Sequence, residues 1–370
     1  MKVRHAAFMV HFEPGIFQQM EWENAAAAHL GFDWRARLFV ASGANYPKSS
    51  TVVEAAEPKV GRGSGALARL KRWFEFRKAY YEWLSQEAKE CDVLLLRYSL
   101  SDPLQLRFIK TVGVPVFTVH HTLELSELRG RGGFIAYLRA GMEAVFGSAS
   151  LRAASGVVGV TNEIRLYEQA RMGHSKPGLV YPNGIFKKGC CQDDRRGAVV
   201  NIVFVASSFL PWHGLDVLLS NLDSCKENFV LHLVGRVNES DRCVAERDQR
   251  VVLHGLLNSE EMSSVMAMCD VGLASFALHR NDMREACTLK VREYLSAGIP
   301  VYSGYRDVFP DEFPFYKMGE ATFPEIMSFA RKVRSIPRGA VAGAAAQYIE
   351  KDKLLAHFYD ELRTVVTSLG

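Results

Sequence analysis

The chain has 370 residues, enough for roughly two domains at about 150 residues each. Hydrophobic residues make up 48% and charged residues 23%, a balance that excludes an intrinsically disordered protein. The formal net charge of +4 is too small to indicate nucleic-acid binding, and we expect no nucleic-acid partner. The seven cysteines form no CxxC pair and indicate neither a disulfide framework nor a zinc site, so a reducing compartment is expected.

The sequence shows no feature of export or membrane insertion. The N-terminal segment MKVRHAAFMVHFEPG has an apolar stretch too short for a secretory signal. Nowhere do apolar residues run uninterrupted for about 18 positions, the length that a membrane-spanning helix needs. We therefore expect a cytoplasmic protein, either free or peripheral on the inner face of the cytoplasmic membrane.

Short apolar segments alternate with helical patterns along the chain, which indicates βαβ units and parallel sheets. Runs such as DVLLL and GVVGV are typical of strands that are buried on both faces. The predicted strands are Ala6–Val10, Leu38–Ala41, Val93–Arg97, Val116–His120 and Gly156–Val160, followed by Asn201–Ala206, Phe229–Val234, Val251–Leu253, Val271–Ala274 and Val301–Ser303.

A polar, turn-rich segment from Pro182 to Gly197 separates the two series of strands and indicates a linker. The sequence thus predicts an α/β protein with two doubly wound, Rossmann-like domains that face one another across a cleft. The predicted domains are residues 1–185 and 186–345, and a helix in residues 346–370 packs back toward the first domain. Ligands of such sheets bind beyond the carboxyl ends of the strands, at the switch point.

One predicted helix combines an apolar stripe with basic residues. Its stripe, Leu67, Leu70, Trp73, Phe74, Tyr80, Tyr81 and Leu84, falls within an arc of about 140°. Arg69, Lys71, Arg72, Arg77 and Lys78 lie around the stripe. The stripe either packs on the core with a solvated basic face, or lies in lipid headgroups with its basic residues against anionic lipid. The spacing does not separate these two alternatives.

The most informative segment is LHRNDMREACTLKVREYLSAGIPVYSG, Leu278–Gly304. Within it, Thr288–Ala297 has the pattern of a helix that begins with a threonine cap and ends before a glycine. The entry to such a helix presents unpaired backbone N–H groups and the positive end of the helix dipole, which together favour phosphate binding. Glu285 precedes the helix and Glu293 lies in its second turn, where paired carboxylates can accept hydrogen bonds from sugar or ribose hydroxyls.

The Glu-x7-Glu pair in EACTLKVRE, followed by YLSAGIPV, resembles the donor-site motif of retaining GT-B glycosyltransferases. The resemblance is closest to the family 4-like enzymes of bacterial polysaccharide and glycolipid assembly. The segments SSFLPWHGLDVLL, LHLVGR, VVLHGLLNSEEMSSVMAMCDVGLAS, TVHHTLE and YPNGI resemble further family segments in the same order. The match covers most of the second half of the chain and the first half loosely.

The resemblance implies a donor site in the second domain. Glu285 would contact the hydroxyls of the donor sugar, and Glu293 would contact the ribose. His213 stands where the family usually has lysine and would be the catalytic group that faces the diphosphate, with Arg284 or Lys290 as the alternative source of positive charge. The residues expected to bind the donor are Gly15, Ser207, Ser208, Gly255, Leu256, Ala286, Cys287, Thr288, Leu289 and Glu293, with backbone N–H groups from Ala286 to Leu289 holding the sugar and diphosphate.

In the first domain the resemblance implies a catalytic histidine and an acceptor site. His120 matches the family's histidine at a strand end, and His121 is the alternative. His11 and Phe12, in the loop that follows the first strand, would face the acceptor together with His121. Arg129 either holds an acceptor phosphate with the nearby Arg131 or belongs to a solvated loop.

The implied activity is retaining hexosyl transfer from a nucleotide-diphosphate sugar to a saccharide or lipid-linked saccharide acceptor. The acceptor would attack from the side of the departing diphosphate, whose oxygen takes the proton. No DxD motif follows a predicted strand, and we expect neither a metal nor another cofactor. The alternatives are a GT-B epimerase or phosphorylase and a non-catalytic nucleotide- or sugar-binding partner protein. An epimerase would need acid/base carboxylates from the first domain and a phosphorylase a cofactor lysine, and the sequence has neither pattern.

Overall fold

The computed structural model of the protein describes residues 1–43, 45–56, 65–130, 133–173, 176–186 and 197–369. The chain divides into two compact units. One consists of Met1–Pro182 with Lys351–Gly370, and the other consists of Asn183–Glu350. The predicted linker lies largely outside the described residues.

The first unit contains a seven-stranded parallel sheet in the order β3-β2-β1-β4-β5-β6-β7. Its strands are β1 Val3–Met9, β2 Trp34–Val40, β3 Val52–Glu54, β4 Val93–Arg97, β5 Val116–His120, β6 Gly156–Gly159 and β7 Gly178–Val180. Its helices are α1 Pro14–Leu30, α2 Ala66–Glu87, α3 Pro103–Thr111, α4 Glu124–Gly130, α5 Phe134–Met142, α6 Ser148–Ala153, α7 Asn162–Met172 and the C-terminal α14 Lys351–Leu369.

The second unit contains a six-stranded parallel sheet in the order β10-β9-β8-β11-β12-β13. Its strands are β8 Val200–Ser208, β9 Phe229–Arg236, β10 Val251–Gly255, β11 Val271–Leu273, β12 Val301–Ser303 and β13 Tyr316–Met318. Its helices are α8 Leu215–Leu219, α9 Glu239–Ala245, α10 Ser259–Met268, α11 Leu289–Ser296, α12 Phe323–Val333 and α13 Arg338–Ile349.

Both sheets reverse their strand order once, between β1 and β4 in the first unit and between β8 and β11 in the second. Such a switch point opens a crevice at the carboxyl edge of the sheet, because the connections on its two sides lead away in opposite directions. In the second unit, Gly235 allows β9 to approach β8 closely. A Cβ atom there would lie 1.5 Å from the carbonyl oxygen of Ala206, and the φ of 125° also favours glycine.

All ten predicted strands are present, and the bounds of β4, β5 and β12 coincide with those predicted. Three further strands, β3, β7 and β13, have three residues each and lie at the sheet edges. They lack the longer apolar runs by which the other strands were identified. They are therefore recognisable as strands only from their pairing with a neighbouring strand.

The C-terminal helix α14 packs within the first unit. Tyr359 stacks on Phe32 with ring centroids 4.1 Å apart, and the Nζ atom of Lys351 lies 4.6 Å from the centroid of the Tyr181 ring. Lys351 is buried at the start of the helix; against the effect of burial, the contact with His5 lowers the pKa of Glu23, and the charge of Lys351 adds to that lowering. Aromatic packing and a buried cation therefore hold the end of the chain on the first unit.

Helix α2 divides the predicted apolar stripe into two parts. Tyr80, Tyr81 and Leu84 are buried in the core, whereas Leu67 and Phe74 are 67% and 43% exposed. The C-terminal half of the helix thus has the core-packing role and the N-terminal half keeps an exposed apolar surface. None of the helices within the described residues is long and apolar enough to cross a membrane.

The packing of the C-terminal half of α2 on the core depends on a buried ion pair. Arg77 lies fully buried over the ring of Phe8, donates a hydrogen bond to the Tyr81 hydroxyl and forms an ion pair with Asp102. Asp102 also accepts hydrogen bonds from the Tyr81 hydroxyl and from the Leu104 N–H at the start of α3. Asp102 thereby compensates the buried guanidinium and links two helices.

We expect Asp102→Ala to lower the free energy of unfolding by about 3–5 kcal/mol, because the Arg77 charge stays buried without its partner. Urea unfolding followed by circular dichroism measures the change. Asp360→Ala, which removes an exposed ion pair with Arg363 on α14, should leave the stability almost unchanged. Equal effects of the two substitutions would contradict this account of α2.

Candidate functional site

The segment Glu285–Thr288, here called the donor loop, leads into α11 and lies against a neighbouring segment of the second unit. The backbone N–H of Ala286 donates to the carbonyl of Arg306 at 3.1 Å, and the N–H of Arg306 donates to the carbonyl of Arg284 at 3.0 Å. These bonds fix the direction of the loop. They also engage the Ala286 N–H, one of the groups predicted to hold the donor.

The N-terminus of α11 has no side-chain cap. Thr288 occupies the cap position with extended backbone angles, but its hydroxyl pairs with the hydroxyl of the buried Tyr305 at 3.0 Å. A capping side chain would otherwise accept a hydrogen bond from the first helical turn. The first turn of α11 therefore retains N–H groups for an external acceptor, and the helix dipole favours an anion there.

The two predicted carboxylates lie at different depths. Glu285, in the donor loop, is half-buried, and Glu293, in the second turn of α11, is exposed. On the same helix Val291 and Arg292 are fully buried, so the helix turns one face to the core and leaves Glu293 on the other. Their positions in the loop and in the second turn are those that the sequence predicts, and their roles stay predictions.

His213 ends a 3₁₀ turn, Pro211–His213, directly after β8. Its Nδ1 accepts a hydrogen bond of 2.9 Å from the Leu210 N–H, so the ring proton is on Nε2. Burial lowers the pKa of His213 to about 3, and the charge of Lys290 adds to this effect. His213 is therefore a neutral hydrogen-bond donor near pH 7 and does not supply the positive charge.

Lys290, in the first turn of α11, is one of the two other cations that the sequence offers for this role. Its Nζ atom is buried, has no hydrogen-bond partner and lies 5.4 Å from the centroid of the Phe204 ring. Burial lowers the pKa of Lys290 to about 8, while Glu293 opposes the shift. An ammonium group that remains charged at pH 7 in such a place is ready to bind an anion.

The remaining predicted donor residues of the second unit lie at the carboxyl edge of its sheet. Ser207 and Ser208 end β8 and are exposed, and Gly255 and Leu256 lie at the end of β10 and are exposed too. The structure brings the ends of β8 and β11 together, since the Phe276 N–H that follows β11 donates to the His213 carbonyl at 2.9 Å. His213 thus lies at the switch point.

In the first unit the two adjacent histidines have different surroundings. His120 is fully buried, with Nδ1 3.2 Å from a Glu124 oxygen and Nε2 3.0 Å from the Thr118 hydroxyl. Both ring nitrogens are therefore engaged within the protein. The Nε2 atom of His121, in contrast, has no hydrogen-bond partner. Burial holds the pKa of His121 well below its usual value, and the charge of Arg97 adds to the shift.

The loop after β1 places its predicted residues at the carboxyl edge of the first sheet. His11 is exposed, Phe12 is 40% exposed and packs edge-on against Tyr46, and Gly15 is exposed at the start of α1. Arg129 belongs to α4, but its side chain lies outside what the structure describes, as does all of Arg131.

One group of potential metal ligands, His120, Glu124 and Glu168, occurs among the described residues. Arg171 donates to Glu168 at 2.8 Å and also to Glu143 at 2.6 Å. The group is thus part of a buried polar network that already contains its own cation. Such pairing is typical of structural networks.

Sequence reasoning did not identify three residues that support the donor loop. Asn183 donates its side-chain amide to the Cys287 carbonyl, and Arg292 forms an ion pair with Asp307. No local pattern marks these residues, because their partners are distant in sequence. The sequence offers Lys290 only together with Arg284 as an alternative to His213, because no local pattern reveals that the Lys290 ammonium is buried.

Residues 200–312 match the family model described as "Glycosyl transferases group 1". The lipopolysaccharide outer core galactosyltransferase WaaB is 12% identical over 98% of this chain and 99% of that chain, with a TM-score of 0.64. Sucrose-phosphate synthase from Thermosynechococcus elongatus is 13% identical over the full length of both chains, with a TM-score of 0.67. HepE from Anabaena, solved in complex with UDP and glucose, is 14% identical over 98% of this chain and 100% of that chain, with a TM-score of 0.58. No curated protein is significantly similar to the chain in sequence.

The structural similarities confirm the two-domain GT-B fold that the sequence predicts. The family match lies wholly within the second unit and includes the donor loop, His213 and Lys290. Together the fold and the family match support glycosyl transfer as the class of activity.

Lys290→Met should raise the melting temperature of the unliganded protein at pH 7 by about 3 °C, because it removes a buried, unpaired charge. The pKa of Lys290 is about 8 in the folded protein, against 10.5 for an ordinary lysine, so the unfolded chain binds more protons between these pH values. The contribution of Lys290 to stability therefore rises with pH across this window, and the difference between variant and wild type should shrink there.

Thermal unfolding at several pH values from 7 to about 10.5 measures both effects. Lys332→Met, on the exposed part of α12, is the matched control and should change neither the melting temperature nor its pH dependence. A lower melting temperature of Lys290→Met at pH 7 would show that the ammonium stabilises the unliganded fold, contrary to its assignment as an unpaired group.

Proposed function

We propose that the protein is a retaining hexosyltransferase that moves a sugar from a nucleotide-diphosphate sugar to an acceptor hydroxyl without a metal ion. The observation that carries this proposal is the buried, unpartnered ammonium of Lys290 in the first turn of an uncapped helix. A diphosphate supplies the oxygens that both the ammonium and the helix N–H groups lack. HepE, which was solved with UDP and with UDP-glucose, supports a nucleotide sugar as the donor class.

The donor diphosphate binds where charge is preorganised. The Lys290 ammonium and the N-terminus of α11 stabilise the negative charge that grows on the diphosphate as the glycosidic bond breaks. His213 contributes its Nε2–H as a neutral donor. The backbone N–H groups of Cys287, Thr288 and Leu289 complete the cradle.

The two carboxylates hold the rest of the donor. Glu285 accepts hydrogen bonds from the hydroxyls of the donor sugar, and Glu293 accepts them from the ribose. Ser207 and Ser208 approach the diphosphate from the end of β8, and Gly255 and Leu256 receive the base. Gly15 is a donor-facing residue of the first unit.

In the proposed mechanism the bond between the anomeric carbon and the diphosphate oxygen breaks as the acceptor oxygen bonds to the same face of that carbon. The acceptor proton passes to an oxygen of the departing diphosphate. The anomeric configuration is retained because the new bond replaces the old one on the same face. The helix N-terminus and Lys290 lower the barrier because they bind the diphosphate more strongly as its charge increases.

Acceptor binding belongs to the carboxyl edge of the first sheet. His11 and Phe12 offer a hydrogen-bonding ring and an exposed aromatic face, and Arg129 adds positive charge. Of the two histidines, His121 is the better candidate for a direct contact because its Nε2 is unpartnered. His120 then acts as a positioning residue, with both ring nitrogens bonded within the unit.

The acceptor that we propose is a saccharide or lipid-linked saccharide of polysaccharide, lipopolysaccharide or glycolipid synthesis. WaaB, a lipopolysaccharide galactosyltransferase, supports this class. The exposed half of α2 supports a position on the inner face of the cytoplasmic membrane. Leu67, Leu70 and Phe74 recur at helical spacing, are exposed, and have the exposed cations Lys71 and Lys78 beside them. An apolar stripe flanked by lysines is complementary to an anionic lipid surface.

We expect one class of UDP-, GDP-, ADP- or TDP-sugar to stabilise the wild type in a thermal shift assay with a chelator present. Glu293→Ala should weaken that binding about tenfold, because it removes a charge-assisted hydrogen-bond acceptor for the ribose. Glu312→Ala, at an exposed glutamate outside the site, is the matched control. Sugar released by slow donor hydrolysis should keep the anomeric configuration of the donor in an NMR spectrum taken at once.

Each other outcome of this experiment favours a different function. Tight binding of one nucleotide sugar without transfer or hydrolysis points to the non-catalytic partner protein. Conversion of the nucleotide sugar to its epimer points to the epimerase. If no nucleotide sugar stabilises the wild type, the proposed donor site is wrong.

The membrane assignment has its own test. The protein should co-sediment with phosphatidylcholine vesicles that contain phosphatidylglycerol, and high salt should weaken the binding. Leu70→Ser with Phe74→Ser should weaken it about tenfold, because two apolar side chains no longer enter the lipid. Leu166→Ser, at an exposed leucine of α7, is the matched control. Equal binding by both variants would contradict a role for α2.

A further inference from the structure

Asn183, the first residue of the second unit, is bonded to Cys287 of the donor loop through both its side chain and its backbone. The Asn183 Nδ2–H donates to the Cys287 carbonyl at 2.7 Å, and the Asn183 backbone N–H donates to Cys287 Sγ at 3.1 Å. The Cys287 thiol lies 3.7 Å from the Asn183 carbonyl oxygen. Residues 104 positions apart in sequence are thus joined at three points.

A second brace comes from α11. Arg292 is fully buried, and its Nε–H donates to the Asn183 carbonyl at 3.1 Å. The Nη1 atom of Arg292 donates to the Thr288 carbonyl at 3.3 Å, and the guanidinium forms two bonds of 2.5 Å to Asp307. Asn183 therefore belongs to the same network that fixes the Cys287–Thr288 end of the donor loop.

We propose that Asn183 is a positioning residue that acts through Cys287 to hold the donor loop in the geometry that receives the diphosphate. The inference rests on the proposed function, since it gives the loop a substrate. It goes beyond it by assigning a role to a residue that acts through Cys287. Backbone donors stabilise developing charge only if they are already in place, and errors of about 0.5 Å weaken them.

Position 183 requires the side-chain amide of an asparagine. An aspartate would place a carboxylate oxygen against the Cys287 carbonyl oxygen and would repel it. An alanine would remove this donor from the Cys287 carbonyl, which favours movement of the loop toward another partner. The 2.7 Å bond therefore requires an amide N–H, and the thiol contact adds to it.

The position of Asn183 predicts how much its substitution changes nucleotide affinity and how much it changes kcat. A nucleoside monophosphate lacks the β-phosphate that the donor loop receives, and the ribose contact of Glu293 does not depend on that loop, so nucleoside monophosphate affinity should change by less than about threefold. The loop N–H groups act on the departing diphosphate, so kcat should fall by about 10- to 100-fold. A general loss of structure would reduce affinity and kcat together.

The test compares Asn183→Ala and Asn183→Asp with Asn221→Ala. Asn221 is the matched control because its Nδ2–H also donates to a backbone carbonyl of the second unit, that of Val217 at 2.9 Å. The first measurement, made without nucleotide, is the alkylation rate of Cys287 by iodoacetamide, read for that residue by mass spectrometry. We expect both Asn183 variants to raise this rate by about tenfold or more and the control to leave it unchanged. The second measurement gives UMP affinity and the kcat of donor hydrolysis.

The outcomes separate this inference from the proposed function. Unchanged Cys287 alkylation in both Asn183 variants, or an unchanged kcat despite faster alkylation, overturns the positioning role. A wild type that binds no nucleotide overturns the proposed function, whatever the alkylation rates show. If Asn183→Ala does not fold, Asn183→Ser takes its place, because its hydroxyl is too short to restore the bond to the Cys287 carbonyl.

Discussion

The proposed donor site depends first on the buried ion pair between Arg292 and Asp307. Both side chains are inaccessible to solvent, and two bonds of 2.5 Å join them. Taking two charges out of water costs several kcal/mol, so such a pair is maintained only where further bonds satisfy each group. The Arg292 guanidinium also binds the Asn183 and Thr288 carbonyls, and Asp307 accepts the Val308 N–H. One ion pair thus fixes the start of the second unit, the end of the donor loop and the segment that follows β12.

Two cations in α11 have opposite surroundings. Arg292 is bonded within the protein and supports the donor loop, whereas Lys290 is left for a ligand. Arg292 has a partner for each side of its guanidinium, whereas the Lys290 ammonium, two positions earlier, has none. A folded protein does not gain stability from an unpaired buried charge, and its presence beside a rigid support is typical of a ligand site. His213 fits the same arrangement as a neutral donor whose orientation is fixed by the Leu210 N–H.

The sequence predicts the fold because its strands are long apolar runs separated by helices. The bounds of β4 and β5 coincide with the prediction. The three-residue β3 was not predicted, because it is defined by its pairing with β2 and not by an apolar run of its own. The donor loop and the helix that follows it were predicted from their own residues and the family motif. The donor roles of Glu285 and Glu293 remain predictions.

What the sequence could not predict depends on contacts between distant residues. The bond between Asn183 and Cys287 spans 104 positions, and no local pattern marks it. The choice between His120 and His121 depends on which ring meets Thr118 and Glu124, and adjacent residues at a strand end do not reveal that. The lowered pKa of His213 likewise follows from its burial and from its proximity to Lys290, and the motif shows neither.

The most direct measurement is a crystal structure of the protein with UDP, grown without metal. The account predicts that the β-phosphate lies at the first turn of α11, within hydrogen-bond distance of the Lys290 Nζ atom, with the ribose hydroxyls against Glu293. UDP bound elsewhere, or bound with Lys290 still unpartnered, would contradict the assignment of the donor site.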